Sequence, residues 1–175
     1  AARRENLPVE LIQGDMRDAR FTDEFDACVI VDSFGFFDDD GNMKVLKVVE
    51  KALKPGGGFY IEGSNPLKRM RKDWKGWDEV EGGYVLMSSK YDPETGKEVD
   101  SFFHISAGDE LVRFVPTPED EGFSVERRLY TLDEMIRLLG SASLRFRSAY
   151  GSIELPFEEY DVTSSVMVVV GEGAG

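Results

Sequence analysis

Two short runs place a carboxylate where a bound molecule can be met. The first is Gly14-Asp15-Met16-Arg17, directly after residues 9–13 (Val9-Glu10-Leu11-Ile12-Gln13), which read as a short strand. The second is Asp32-Ser33, directly after the apolar run Ala27, Cys28, Val29, Ile30, Val31. In open α/β sheets ligands bind outside the carboxyl ends of strands, so both acids are candidates to orient a ligand by hydrogen bonding. Each also has a plainer reading. Asp15 can cap the turn after Gly14, and Asp32 and Ser33 can cap the loop that follows while Phe36 fills core.

Other reactive side chains are isolated. His104 is the only histidine and Cys28 the only cysteine. His104 falls within a predicted strand, facing solvent or packed between aromatics, and Cys28 lies on a predicted core strand. One histidine and one distant cysteine make no metal site, and a single cysteine excludes an internal disulfide. The basic, aromatic stretch at residues 68–77, with Trp74 and Trp77, is read as a lid helix or loop with its tryptophans partly buried. Pro55-Gly56-Gly57-Gly58 precedes a strand instead of following one, which makes it a helix stop and not a phosphate cradle.

The elements that must position these groups follow an α/β grammar. Residues 1–6 read as a helix tail. The near-continuous apolar run at 26–31 is what a strand buried on both faces of a parallel sheet looks like. Residues 42–53 are a predicted helix, with Val45, Leu46, Val49, Ala52 and Leu53 on one face and Lys44, Lys47 and Lys51 on the other. Asp38, Asp39 and Asp40 suit its N-terminal dipole. Phe59-Tyr60-Ile61 begins the next strand. Residues 84–91 and 97–105 flank Asp92-Pro93-Glu94-Thr95-Gly96, a hairpin turn. Further strands are predicted at 111–115 and 123–130, separated by an acid-rich loop. Thr131-Leu132-Asp133-Glu134 is a capping box opening a helix that Gly140 stops, and strands at 144–150 and 164–170 close the chain. The glycine-rich residues 171–175 read as disordered.

Of 175 residues, 34 are acidic and 21 basic, for a formal charge of −13. Such a balance weighs against nucleic acid and anionic membrane as partners. No apolar run reaches the roughly 18 residues of a membrane helix, and residues 1–5 carry no signal-peptide core. A cytoplasmic location is expected.

Three stretches together resemble class I S-adenosylmethionine-dependent methyltransferases, in particular the small-molecule, glycine N-methyltransferase-like branch. Residues 9–18 are similar to that fold's third strand and its Gly-Asp-Met-Arg adenine-contact loop. Residues 25–37 are similar to its fourth strand and following loop. Ala52-Leu53-Lys54-Pro55-Gly56-Gly57-Gly58-Phe59 resembles the turn into its fifth strand. The resemblance implies a Rossmann-like sheet of order 3-2-1-4-5-7-6, S-adenosylmethionine as cofactor, and cofactor contacts at Gly14, Asp15, Met16, Arg17, Ile30, Asp32, Ser33 and Phe36. It implies methyl transfer to a small-molecule nucleophile, a reaction that rests on alignment and exclusion of water more than on acid–base groups. No catalytic residue is assigned.

The chain departs from the family at its start. The Gly-rich loop after the first strand and the acid ending the second have no counterpart, a shortfall of about 60 residues at roughly 30 per βαβ unit. The expected fold is therefore the methyltransferase sheet without its first two strands, with an antiparallel meander inserted. Residues 1–63 form a partial core, 64–130 the insertion (an acceptor lid or subunit contact), and 131–175 the closing helix and strands. The strand through Ile30 should present a bare edge that recruits another chain. A fragment of a longer enzyme, inactive alone, is the expected state, with a homo-oligomer or a partner chain completing the sheet as the other route. The rival reading is a degenerate, non-catalytic binding module.

Overall fold

The computed structural model describes residues 9–71, 73–81, 83–106 and 122–173. The helix predicted at 1–6, the strand at 111–115 and loop residues 116–121 lie outside them. In chain order the elements are β1 (Phe25–Val31), α1 (Asp39–Ala52), β2 (Leu53–Ser64), α2 (Pro66–Arg69), β3 (Trp74–Val80) and β4 (Gly83–Asp92). There follow β5 (Lys97–Ser106), β6 (Gly122–Arg128), α3 (Leu132–Ser141), β7 (Leu144–Tyr150) and β8 (Val166–Gly173).

The first sheet has the order β1-β2-β8-β7. β1 and β2 are parallel, with Ile30 opposite Ile61, and α1 makes the crossover that parallel neighbours require. β8 and β7 join antiparallel. This is the 4-5-7-6 half of the expected order, antiparallel closing strand included.

Helix α1 begins three residues before its predicted start because Asp38 caps it, its Oδ1 accepting from Gly41 N at 2.8 Å. Its buried face, Asn42, Val45, Leu46, Val49 and Ala52, recurs at helical spacing. That face meets Phe59 and Ile61 of β2, Met167 and Val169 of β8, and Met135 and Leu139 of α3 in one core. Leu46, Leu139 and Val169 are wholly inaccessible, and each such side chain contributes about 1.5–3 kcal/mol by leaving water. The Thr131 capping box is complete: Thr131 Oγ1 accepts from Glu134 N at 3.3 Å, and Glu134 Oε2 accepts from Thr131 N at 2.8 Å. Gly140 does not end α3, which runs one residue further. Gly171–Gly173, expected to be disordered, belong to β8, where pairing with β2 and β7 holds them.

The second sheet is the antiparallel meander β3-β4-β5-β6. Its β4–β5 turn is the predicted one, closed by Gly96 N to Asp92 O at 2.8 Å, with Gly96 at φ +68. The stretch at 68–77 is not a lid helix. Among its described residues and their neighbours only Pro66–Arg69 is helical, and Trp74 and Trp77 stand exposed on β3.

Two expectations at the start of the chain are corrected. Residues 9–13 form no strand: Val9, Leu11 and Ile12 are exposed, and no strand among the described residues lies beside them to pair with. β1 is not buried on both faces, since Val29 and Val31 are exposed on the outermost strand of the sheet. Among the described residues no helix is long and apolar enough to cross a membrane, and no group of three or more His, Cys, Asp or Glu residues could hold a metal ion.

Candidate functional site

The carboxyl ends of β1 and β2 lie side by side, which puts Asp32 next to Glu62 and Ser64. Asp32 turns the chain out of β1 at φ +45, a left-handed conformation that side chains other than glycine seldom adopt. Its N–H donates to both the carbonyl oxygen and Oε2 of Glu62 at 3.1 Å. Ser33 Oγ turns back to donate to Val31 O at 2.7 Å. Burial, and then the charge of Asp32, pushes the Glu62 carboxyl above its ordinary value.

The second sheet roofs this end with a buried ionic network. Arg127 of β6 stands directly opposite Glu98 of β5. Its Nε donates to Glu98 Oε2 at 3.0 Å, its Nη1 to Asp32 Oδ1 at 2.6 Å and its Nη2 to Ser64 Oγ at 3.1 Å. Glu98, wholly inaccessible, also accepts from Ser89 Oγ at 2.6 Å and pairs with Arg69 Nε at 3.0 Å. Asp100 approaches Arg127 Nη2 at 3.4 Å. Burial works against the Arg127 charge, but Glu98, Asp32 and Asp100 outweigh it and hold the guanidinium above its ordinary range. Four carboxylates (Asp32, Glu62, Glu98, Asp100) thus surround two guanidiniums (Arg69, Arg127), an excess of negative charge suited to a cationic guest.

Next to the network the two sheets are fastened by backbone. Arg128 N donates to Gly35 O at 2.7 Å. Gly35 has φ +101, and a Cβ there would collide with the Arg128 carbonyl oxygen, so only glycine allows this approach. Tyr130 OH donates to Asp39 Oδ1 at 2.6 Å and accepts from Asn42 Nδ2 at 2.9 Å, pinning the start of α1 beneath the roof. Burial, and then that bond to Asp39, pushes the Tyr130 phenol up.

The first motif sits on the other side of β1. Asp15 caps a single 3-10 turn, Met16–Asp18, through Arg17 N at 2.9 Å, and binds the Arg17 side chain at 2.6 Å. The Arg17 side chain and backbone hold the Asp15 carboxyl down at about 2. Arg17 in turn stacks over Phe37, 4.1 Å from the ring centroid, which ties this loop to the one after β1. Met16 and Ile30 line one apolar groove of about 310 Å³ together with Phe21, Phe25, Cys28 and Val29.

The predicted residues therefore fall into two groups. Met16 and Ile30 line the groove, with Asp15 and Arg17 at the turn that carries Met16, while Asp32 joins the network and Ser33 bonds back to Val31. Phe36 is exposed and belongs to neither core nor groove. Gly14 is not held by sterics, since a Cβ there would meet open space. The capping reading of Asp15 is realised, and Asp32 is engaged by a residue the sequence did not single out. Arg127, Glu98, Arg69 and Glu62 were all missed. The signal that could have found them is a charged residue at an inward position of a strand, but alternation alone does not say which face is inward.

A family model described as a methyltransferase domain matches residues 1–57, less than half of the chain. No curated protein matches. The fold is similar to that of an S-adenosylmethionine-dependent methyltransferase from Clostridium acetobutylicum, with TM-score 0.75 and 16% identity over 99% of this chain and 68% of that one. It is similar to the CcbJ methyltransferase from Streptomyces caelestis, with TM-score 0.73 and 15% identity over 94% of this chain and 63% of that one. It is also similar to the sugar N-methyltransferase KedS8 from Streptoalloteichus, with TM-score 0.64 and 16% identity over 99% of this chain and 66% of that one. At these identities the likeness establishes the fold: the chain has the architecture of the S-adenosylmethionine-dependent methyltransferases and spans about two thirds of their length.

Proposed function

We propose that this chain forms the acceptor side and the adenine side of a methyltransferase that moves a methyl group from S-adenosylmethionine to a small-molecule nucleophile. The observation that carries the reading is the pairing of Met16 with Ile30 in one apolar groove, Met16 lying in the turn that Asp15 caps. An apolar groove of this kind suits a flat heterocycle, and an amino group on it would compete with Arg17 for Asp15, whose two oxygens both accept from Arg17. The bound cofactor would supply an activated methyl group on a sulfonium. Its other contacts, those to the ribose and the methionine end, are assigned to residues beyond this chain or to a partner chain along the open edge of β1. Among the described residues nothing bonds the second carboxylate oxygen of Asp32, so the acidic network supports an amine acceptor among the nitrogen, oxygen and carbon nucleophiles the reaction class allows. The excess of acidic residues supports a small molecule over nucleic acid or membrane.

Calorimetric titration with S-adenosylmethionine and S-adenosylhomocysteine tests this. Saturable binding is expected once the upstream segment is present, with Asp15→Ala weakening it, and no turnover is expected from the 175-residue chain alone. Absence of binding even with the upstream segment present overturns the reading. The non-catalytic alternative has one observation in its favour: Arg127 holds Asp32, and Ser33 is spent on Val31. Cofactor binding without turnover on amine, hydroxyl or carbon acceptors would select it.

A further inference from the structure

Strand β3 forms one border of the second sheet, and among the described residues nothing pairs with its outer side. An exposed, apolar edge is a template for another strand. Trp74, Trp77 and Val80 are 45%, 66% and 38% exposed, unusual for side chains of this size on one seven-residue strand. Glu79 N donates to the Asp78 side chain at 2.9 Å. That N–H therefore points away from β4 and, by the alternation of a strand, so do those of Trp77 and Lys75.

A strand that adds to its own copy in the same sheet does so antiparallel about a two-fold axis, and the axis must pass through one residue. The charges of Trp74-Lys75-Gly76-Trp77-Asp78-Glu79-Val80 decide which. An axis at Lys75, Asp78 or Glu79 sets that charge against itself. An axis at Gly76 leaves Lys75 opposite Trp77. An axis at Trp77 sets Lys75 opposite Glu79 twice, places Trp74 opposite Val80, and overlaps the whole strand. Its facing residues are the three whose N–H groups point outward, so the backbone ladder and the charge pairs coincide. Trp77, already edge-on to Tyr84 at 5.7 Å, would meet its own copy at the axis.

We infer that β3 is a self-association edge, and that two copies of this chain join their meanders into one continuous antiparallel sheet through β3, with Trp77 on the two-fold axis and Lys75 paired to Glu79 of the other copy. This inference does not depend on methyl transfer.

Sedimentation velocity over a concentration series, on the chain and on charge-reversed variants, tests it. Lys75→Glu and Glu79→Lys each turn both cross-strand pairs into like charges, so each should raise the dimer dissociation constant about tenfold or more. The double variant restores opposite charges and should bring the constant back to near its starting value. Both substitutions are on exposed side chains, and circular dichroism checks that the three variants are folded. A monomer at every concentration overturns the inference. So does a dimer that ignores the single reversals, which would place the contact elsewhere, for instance on β1, and so does a double variant that fails to recover.

Discussion

Arg127 Nη1 meets Asp32 Oδ1 at 2.6 Å, across 95 residues of sequence and from one sheet to the other. The same guanidinium reaches Glu98 and Ser64, so a single side chain holds the roof to the carboxyl ends of both parallel strands. Its position decides how the site tolerates change.

Replacing Arg127 with Met keeps the volume and removes the charge. Glu98 then stays inaccessible with only Arg69 and Ser89 as partners. Breaking one side of a buried pair costs about 3–5 kcal/mol, and urea unfolding should show it. Asp32→Asn, at the exposed end of the same contact, should cost no more than about 1 kcal/mol. Equal losses would mean that the network is not what joins the sheets.

Glu62 carries a pH signature. Its folded carboxyl lies above the ordinary value, through burial and then Asp32. Its protonated form is therefore favoured in the fold, and the stability this contributes is full below the unfolded value and lost as pH rises through the folded one. Glu62→Gln is neutral at every pH and should be more stable than the natural chain at pH 7. That gain should vanish below about pH 4. Thermal unfolding at several pH values measures it, and a gain that persists in acid would exclude the titration of Glu62 as its source.

Asp15 behaves oppositely. Held down to about 2 by Arg17, it stays ionised where a free carboxylate takes up a proton. Any stability from the pair is present above the unfolded value and lost as pH falls through the folded one. Arg17→Gln should return the Asp15 midpoint to the ordinary carboxylate range in an NMR titration of side-chain carboxyl carbons. An unmoved midpoint would show that the backbone of the turn, not the guanidinium, sets it.

Leu46 packs wholly inaccessible between α1 and the first sheet. Leu46→Ala should cost about 2–5 kcal/mol by chemical denaturation. A cost under about 1 kcal/mol would mean that α1 is not seated on that sheet as described.

Helices α1 and α3 and the β4–β5 turn were legible because local chemistry writes them: an apolar stripe at helical spacing, a Thr-to-Glu cap, an Asp-Pro-Glu-Thr-Gly turn. The order of the first sheet came from the family resemblance and not from local pattern. Residues 9–13 were misread because a strand needs a neighbour, and pattern alone does not supply one. Trp74 and Trp77 were misread as partly buried because large aromatics usually are. Of the candidate site residues, Asp15, Met16 and Ile30 were singled out through contiguous motifs. Arg127 and Glu98 were not, because what makes them a pair is a cross-strand register between distant segments, and no local signal records it.

The left-handed backbone at Asp32 bears on what the position is for. Glycine would sit there without strain, and several glycines do that work elsewhere in the chain. What glycine cannot bring is an anion. A variant library at this codon should therefore separate two demands, with glycine enriched under selection for folding alone and aspartate retained only when the site itself is under selection.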